Sequence, residues 1–301
     1  MKVIISGASG LVGSALIPAL LGEGHQVTRL VRRNPSAGQV NGVSTLLWDP
    51  ESSTLDERSL NHEVFVHLSG ETVAERWREE KKRRIRDSRV KSTALIAERL
   101  SRLVAAPPRA LICASAIGFY GDRGSEVLHE ESAPGSGFLA EVCREWEAAA
   151  EPARRAGIRV VHLRLGVVLS PEGGALAKML TPFKLGVGGK VGGGDQWMSW
   201  IALDDVIEII KFVIARDDVR GPVNVVSPHP VTNGEFTDTL GRVLSRPTFI
   251  PLPAFGARFA FGEMADALLL SSARVVPARL TEAGFAFAHP QLEEALRHLL
   301  R

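Results

Sequence analysis

Hydrophobic and polar positions repeat with two different periods along the first part of the chain. Short apolar runs of the kind that form buried strands alternate with longer stretches in which apolar residues recur at helical spacing. The runs that we predict as strands are residues 2–6, 26–31, 44–49, 63–68, 109–115, 159–164 and 223–226. Strands that alternate with helices predict an α/β fold, here a Rossmann-type, doubly wound parallel sheet.

The alternation loosens near Gly173, and the last part of the chain is punctuated by proline and mostly helical in its spacing. A chain of 301 residues is long enough for two domains. We expect a Rossmann domain at 1–165 with a return segment at 204–226. A smaller, mostly helical C-terminal substrate domain is expected from 166–203 and 227–301.

Three helices in these segments carry distinctive sequence signals. Asp204 or Asp205 is expected to cap a helix that runs to Ala215, and Thr232 with Glu235 predicts a capping box. Residues 75–91 are dense in lysine and arginine and begin a long amphipathic helix. We interpret its basic face as solvated, and attraction of an anion is the alternative.

The first strand leads into a glycine-rich turn at residues 7–13, and a helix begins where the turn ends. Gly7 permits the tight bend, Gly10 lets the main chain approach a diphosphate, and Gly13 lets the helix pack closely on the strand. A helix N-terminus adds free N–H groups and a partial positive charge, which favour phosphate. An ordinary βα turn is the alternative. The residues that we predict to bind a dinucleotide here are Gly7, Ser9, Gly10, Leu11, Val12 and Gly13.

The second strand ends in Arg32 and Arg33, where a site for NAD usually has an acidic residue that binds the ribose hydroxyls. Guanidinium groups match the oxygens of a 2′-phosphate. The pair therefore predicts NADP(H) rather than NAD(H), and a solvated pair at a strand end is the alternative.

Ligands of doubly wound sheets lie beyond the carboxyl ends of the strands. Leu68 ends the fourth predicted strand, Ser69 and Gly70 follow it, and Ser115 ends the fifth, so we expect all four to line the cofactor crevice. Asp49 is a weaker candidate near the adenine. A plain loop at the strand end is the alternative for each.

Composition narrows the class of partner. The chain is 45% hydrophobic with a net charge of +2, which gives no global field for nucleic acid. It begins directly in a strand and has no uncharged apolar stretch of about 18 residues, so we expect neither a targeting segment nor a membrane span. Cys113 and Cys143 lie in apolar contexts and indicate a reducing, cytoplasmic location. The 8 histidines are scattered without metal-ligand spacing, so no metal is predicted.

These motifs together resemble the extended and atypical short-chain dehydrogenase/reductase superfamily, and more closely its branch of epimerase family proteins with a distinctive C-terminal domain. The resemblance covers the whole chain and implies a nicotinamide-cofactor Rossmann domain with a smaller substrate domain. Besides the glycine turn, it is carried by residues 115–121, 173–176, 182–184, 193–205, 232–236 and 246–249.

The chain departs from the superfamily at its catalytic pair, Tyr-x-x-x-Lys, in which the tyrosine is the acid/base. Phe138 and Val142 occupy the matching positions, and neither can carry a proton. The one tyrosine, Tyr120, has Gly124 four residues on. The position of the supporting serine holds Ala116, beside Ser115. The usual hydride-transfer machinery is therefore absent.

Three functions stay open. The first is an NADP-dependent oxidoreductase or nucleotide-sugar-epimerase-like enzyme with relocated acid/base groups, for which Tyr120 and Glu141 are the candidates. The others are an NADP(H)-binding sensor or regulatory module without turnover, and a scaffold with a vestigial pocket. We expect a small-molecule partner, anionic or a nucleotide sugar, no nucleic acid and no membrane, and leave a homodimer open.

Four further residues are predicted to hold the substrate. Arg164 and Lys184 would hold an anionic group, while Gln196 and Trp197 belong to a glycine-rich loop that suits a lid or substrate wall. The alternative for this loop is a hydrophobic clasp between domains.

Overall fold

The computed structural model of the protein describes residues 1–32, 42–103 and 106–301. Its strands are numbered in chain order. They are β1 (Lys2–Ser6), β2 (Gln26–Val31), β3 (Val43–Asp49), β4 (Thr54–Leu55), β5 (Val64–His67), β6 (Ala110–Ala116), β7 (Val127–Leu128), β8 (Arg159–Leu165), β9 (Val167–Ser170), β10 (Trp197–Met198), β11 (Trp200–Ala202), β12 (Gly221–Val225), β13 (Val231–Thr232) and β14 (Arg274–Val275).

The α-helices are numbered in the same way. They are α1 (Leu11–Gly22), α2 (Glu79–Ser101), α3 (Phe138–Ala148), α4 (Glu151–Arg155), α5 (Gly174–Lys184), α6 (Leu203–Ala215), α7 (Asn233–Leu244), α8 (Ala254–Phe261), α9 (Ala278–Glu282) and α10 (Leu292–Leu299). Short 3₁₀ turns cover Glu57–Asn61 and Ile117–Tyr120, and a π-helical turn covers Ala265–Leu269.

The main sheet has eight strands in the order β12-β8-β6-β5-β1-β2-β3-β4. Its neighbouring strands are parallel except β3 and β4. The chain winds from β1 towards β3 on one side and from β5 towards β12 on the other, so the order reverses between β1 and β5. The doubly wound sheet is confirmed, and ligands of such sheets bind at this reversal.

Residues of β1 alternate between the two faces of the sheet, as the period of a strand requires. Val3 and Ile5 pack in one core with Leu16 of α1 and with α6. Ile4 packs in the opposite core with Leu95 of α2. Helices thus cover both faces, which explains why the central strands are continuous hydrophobic runs.

A further core lies away from the sheet and joins α5, α7 and α10 with β9 and β11. The predicted capping box is present, since the Thr232 hydroxyl accepts from the N–H of Glu235 and the Glu235 carboxylate accepts from the N–H of Thr232. In the described parts of the chain, none of the helices is both long and apolar enough to cross a membrane. The division into two domains stays a prediction.

The helical segment that follows Gly137 is divided into α3 and α4, because Pro152 lacks the N–H that a continuous helix needs. One prediction about the start of a helix is wrong. Asp204 and Asp205 do not cap α6, which begins after Ala202 without a side-chain cap. The Asp205 carboxylate instead accepts hydrogen bonds from the N–H groups of Ala288 and His289.

Candidate functional site

The turn between β1 and α1 needs two of its glycines for its own packing. Gly7 has φ +72°, and a Cβ there would lie 2.6 Å from the carbonyl carbon of Leu68. A Cβ at Gly13 would lie 2.4 Å from the carbonyl oxygen of Gly7. Contacts this short are not tolerated, so the turn fits against the end of β5 only with glycine at both positions.

Gly10 is different, because an added Cβ would meet a single atom of the described residues and at a longer distance. Its φ is −80°, and a Cβ there would lie 3.3 Å from the carbonyl oxygen of Gly7. Ser9 and Gly10 are exposed, and α1 begins at Leu11 without a side-chain cap. The first N–H groups of a helix have no partner within the helix. The turn therefore offers uncapped donors on an open surface where a missing side chain allows a ligand to come close.

Arg32 is exposed at the carboxyl end of β2, beside the end of β3. Together with Trp48, Asp49 and Asp56 it lines a shallow cleft. The hydroxyl of Ser52 and the N–H of Glu51 lower the pKa of Asp49, and the charge of Arg32 adds to this shift. Those two bonds turn the Asp49 carboxylate towards its own loop. Among the described residues that line the cleft, Arg32 is the one with a positive charge. Arg33 lies outside the described residues.

Leu68, Ser69 and Gly70 follow β5 directly beside the turn, as the contacts of Gly7 show. Below them, the His67 ring hydrogen-bonds Ser6 of β1 on one side and Ser92 of α2 on the other. Burial lowers the pKa of His67 to about 3, so this ring is neutral. It is a support under the turn rather than a titrating group at neutral pH.

Helix α5 forms the opposite wall. A Cβ at Gly173 would lie 3.4 Å from a methyl carbon of Leu11, and Lys178 donates to the carbonyl oxygen of Ala74 at 3.2 Å. We call the space bounded by residues 7–13, residues 68–78 and α5 the carboxyl-edge crevice.

Arg89 of α2 is a basic residue at this crevice that the sequence analysis did not single out. Burial lowers the pKa of its guanidinium, which lies 5.1 Å from the Trp146 ring. Nη1 donates to the carbonyl oxygen of Ile85, while the guanidinium carbon and Nη2 lie 3.2 Å from the place of a Cβ on Gly70. Within the described ranges, no carboxylate is close enough for an ion pair with it.

A sequence signal for Arg89 exists in the spacing of α2. Lys81, Ile85, Arg89 and Thr93 follow one another at intervals of four, and the other three are buried. A basic residue in a stripe that otherwise faces the core needs either an anion or a special environment. Lys81 has Glu71 and Glu75 as partners, at 2.6 and 2.8 Å.

Tyr120 does not face the carboxyl-edge crevice. The side chain is 0% exposed, its hydroxyl donates to Asn224 at 2.7 Å, and the same oxygen accepts from Arg164 at 2.9 Å. Burial raises its pKa, with the charge of Arg164 opposing that shift. A phenol so placed is occupied on both sides, and we assign it to a buried network.

Arg164 belongs to the same network and is only 3% exposed. Its guanidinium forms a two-pronged ion pair with Glu147, at 2.8 and 2.9 Å. Ser115, predicted to bind cofactor, donates its hydroxyl to Glu147 at 2.7 Å and is also buried. The structure thus brings Ser115, Tyr120 and Arg164 together inside the protein. Arg164 bonds Tyr120 directly, and Ser115 and Arg164 share Glu147 as a partner.

The remaining acid/base candidates lie on or beside α3. Phe138, at the tyrosine position of the superfamily, packs edge-on against Trp77 with ring centres 5.2 Å apart, and Val142 is buried. Glu141 is exposed, and its charge acts on Arg86 of α2. Arg86 in turn forms an ion pair with Glu145. Glu141 therefore lies at the solvated surface between the two helices.

The fold places the other residues predicted to hold the substrate in separate surroundings. Lys184 is exposed in the last turn of α5, about 15 Å along the helix from the end that meets Leu11. The Gln196 amide donates to the carbonyl oxygens of Val191 and Leu269, at 3.0 and 2.9 Å. Trp197 stacks under the Arg274 guanidinium at 4.2 Å. These contacts join the loop to residues 269–274.

Comparisons with known proteins cover nearly the whole chain. Residues 3–226 match the NAD dependent epimerase/dehydratase family, and residues 252–299 match a domain of unknown function, DUF1731. The epimerase family protein Mb2239 from Mycobacterium bovis is 45% identical over 297 residues, which are 98% of this chain and 96% of the relative.

Two solved structures extend the likeness to three dimensions. The crystal structure of human epimerase family protein SDR39U1 (isoform 2) with NADPH has a TM-score of 0.88 at 32% identity and covers 99% of each chain. That of the nucleoside-diphosphate sugar epimerase from Corynebacterium glutamicum has a TM-score of 0.81 at 39% identity. It matches 100% of this chain and 58% of its own.

Proposed function

Because the chain belongs to the NAD dependent epimerase/dehydratase family, we propose that it binds NADP(H) in the carboxyl-edge crevice. The N–H groups of Ser9, Leu11, Val12 and Gly13 would hold the diphosphate, since that of Gly10 donates to the carbonyl oxygen of Gly7. Arg32 would bind the 2′-phosphate. Leu68, Ser69 and Gly70 would border the cofactor where the strand order reverses. The human relative that was crystallised with NADPH supports the choice of cofactor.

The observation that carries this proposal is the contrast among the three glycines of the turn. Gly7 and Gly13 are required by close contacts with neighbouring main chain, whereas a Cβ at Gly10 would approach only one oxygen, at 3.3 Å. Glycine at this third position, beside uncapped helix donors, fits a ligand whose phosphates approach the main chain directly.

Replacement of Gly10 by valine tests the proposal, since φ −80° and ψ 172° are accessible to valine. Its Cβ would lie 3.3 Å from the carbonyl oxygen of Gly7, so circular dichroism has to establish that the variant is folded. We expect calorimetric titration to show NADPH binding more tightly than NADH in the natural protein. Gly10→Val should abolish measurable NADPH binding, because the side chain would occupy the place of the diphosphate.

The matched control is Gly22→Val at the other end of α1, where an added Cβ meets nothing within 4 Å among the described residues. This variant should bind NADPH as the natural protein does. If Gly10→Val kept its affinity for NADPH while both variants remained folded, the turn would not be the diphosphate site.

We propose a small anionic molecule, such as a nucleoside-diphosphate sugar, as the substrate class. The Corynebacterium glutamicum relative is named for that class at 39% identity. Arg89, beside Gly70, adds a cation to the crevice that would attract both the phosphates of the cofactor and an anionic substrate. The cofactor, when bound, supplies hydride transfer. This chain's part would be to position the substrate between α5 and residues 68–78, and to exclude water through the contact between Lys178 and Ala74.

Binding without turnover is the second candidate, and the burial of Tyr120 favours it. Phe138 and Val142 cannot transfer a proton, and the Tyr120 hydroxyl is bonded within the protein. Two incubations distinguish the candidates: deuterated NADPH with a panel of carbonyl compounds, and NADP⁺ with nucleotide sugars deuterated at their hydroxyl-bearing carbons. Deuterium in a reduced product, deuterium on the cofactor or an epimerised sugar supports the enzyme. Cofactor binding with none of these across both panels supports a sensor or regulatory module.

The buried free thiols of Cys113 and Cys143 support the cytoplasm as the proposed location.

A further inference from the structure

Three potential metal ligands from distant parts of the chain meet on the surface, away from the carboxyl-edge crevice. His298 Nε2 lies 2.7 Å from Asp204 Oδ2, and His289 Nε2 lies 3.8 Å from the same oxygen. The two imidazole rings are stacked, with centres 4.2 Å apart and planes at 22°. One ligand atom from each residue lies within 4.8 Å of the other two. Both ring nitrogens are thus turned towards one carboxylate oxygen.

The fold holds each of these residues from a different element. Asp204 is in the first turn of α6, and His298 is in the last turn of α10. His289 lies in the segment before α10, where its N–H donates to the Asp205 carboxylate at 3.1 Å. Asp205 is 1% exposed and also accepts from the N–H of Ala288 at 2.8 Å. It fixes the main chain that carries His289 beside the start of α6.

Two imidazole nitrogens and one carboxylate oxygen are a donor set that transition metal dications favour. At Zn–N and Zn–O distances near 2.1 Å, tetrahedral ligands lie about 3.4 Å apart. The separations of 2.7 and 3.8 Å lie on either side of this value. Because the lone pair of each Nε2 lies in its ring plane and the two planes are nearly parallel, the more exposed ring, that of His298, has to turn out of the stack for both nitrogens to reach one ion. The Asp204 and His298 side chains are about half exposed, which leaves an approach for the ion and room for water as a fourth ligand.

We propose that Asp204, His289 and His298 bind a divalent transition metal ion of the Zn²⁺ type. Such an ion would join the two matched regions of the chain, since Asp204 lies within residues 3–226 and both histidines lie within residues 252–299. It would hold the C-terminal helix α10 against α6. The proposal does not depend on NADP(H) binding.

The experiment uses the full chain without an affinity tag, stripped of metal with a chelator. Titration with Zn²⁺ should give one site per chain, and the same titration with Mg²⁺ should give none, because imidazole is a poor ligand for Mg²⁺. Zn²⁺ at about 100 times its Kd should raise the melting temperature by about 4 °C. Absence of Zn²⁺ binding to the natural protein would overturn the proposal and leave only a hydrogen-bonded contact.

Substitutions then locate the site. Asp204→Asn and His298→Gln keep polar groups of similar size, and each should lower Zn²⁺ affinity at least about tenfold through the loss of a ligand. His129→Gln, at an exposed histidine elsewhere, is the matched control and should bind as the natural protein does. Circular dichroism and urea unfolding establish that each variant is folded. Equal Zn²⁺ affinity in folded Asp204→Asn, His298→Gln and the natural protein would also overturn the proposal.

Discussion

Arginine side chains lie in three different environments in this protein, and burial decides which of them can meet a ligand. Arg164 is 3% exposed, and its donors are bonded to Glu147, Tyr120 and the carbonyl oxygen of Glu130. Arg89 is partly buried and has Nη2 beside Gly70 at the carboxyl-edge crevice, while Arg32 is exposed at the end of β2. Arg164 is thus paired inside the protein, whereas Arg32 and Arg89 remain available to an anion.

Arg32 gives a prediction about which cofactor is preferred. Arg32→Ala should weaken NADPH binding about ten- to hundredfold, because a charge-assisted hydrogen bond to phosphate contributes about 1.5–3 kcal/mol. NADH has no 2′-phosphate, so its affinity should change less than about twofold. Calorimetric titration of both cofactors at one fixed ionic strength measures the two effects.

Arg144→Ala, at an exposed arginine of α3, controls for the loss of one positive charge from the surface. It should leave the ratio of the NADPH and NADH dissociation constants unchanged. Equal weakening of both cofactors by Arg32→Ala would show that this residue does not distinguish the phosphate.

At the scale of elements, α2 shows how one helix serves both solvent and the site. Its outer residues are solvated or paired with acidic neighbours, as the sequence predicted for most of its basic face. Its inner side packs on the sheet through Leu95 and Ile96, while Ile85 packs against Trp77 and Met264. Arg89 lies one turn after Ile85 and has its guanidinium beside Gly70 at the crevice.

Arg89→Met should weaken NADPH binding about tenfold or more, a loss of about 1.4 kcal/mol. Methionine retains most of the side-chain length against Trp146 and removes the guanidinium. The matched control is Arg83→Met, an exposed position on the same helix, which should change the dissociation constant less than about twofold. Undiminished affinity in Arg89→Met would mean that this guanidinium only packs on Trp146.

For these elements, bonds between residues close in the sequence were easier to predict than contacts between residues far apart in the sequence. The capping box at Thr232 was predicted because both of its bonds join residues within one turn. The cap expected at Asp204 or Asp205 was wrong because Asp205 binds the N–H groups of residues 288 and 289, which only the folded chain brings near. A short polar side chain at a helix start favours a cap, but a buried segment with unpaired donors can use it instead.

For the whole molecule, the sheet was predictable because strand and helix periods alternate in the sequence, and the doubly wound order follows from right-handed crossovers. The glycine turn was predictable because the strand, the glycines and the start of the helix follow one another directly in the sequence. Which side chains face the crevice was not: Tyr120 and Arg164 come near the carboxyl ends of β6 and β8, yet the ion pair with Glu147 turns them inward. The meeting of Asp204 with His298 is likewise a property of the folded chain.

The stability of the whole molecule is linked to pH through His67, which joins β1, β5 and α2 in the core. Its folded pKa of about 3 lies below the unfolded value of about 6.5. The unfolded chain therefore binds more protons, so the contribution to stability is complete above about pH 6.5 and is lost as pH falls towards 3. Burial also lowers the pKa values of His62 and His162, which act in the same direction.

We therefore expect the free energy of unfolding to fall between pH 6.5 and 4.5, by up to about 1.4 kcal/mol per pH unit for each histidine kept neutral. Most carboxylates titrate below this window, so the histidines dominate it.

His67→Asn should be less stable at pH 8, because the hydrogen bond between the ring and Ser92 is lost and the smaller side chain leaves part of the buried space empty. Its stability should nevertheless fall less steeply in the window. Urea unfolding at several pH values measures both slopes, and measurements between pH 7.5 and 8.5, where neither protein should show the histidine slope, serve as the control. Equal slopes in the natural protein and His67→Asn below pH 6.5 would contradict a neutral, buried His67, and with it the rigid support that we assign to the floor of the crevice.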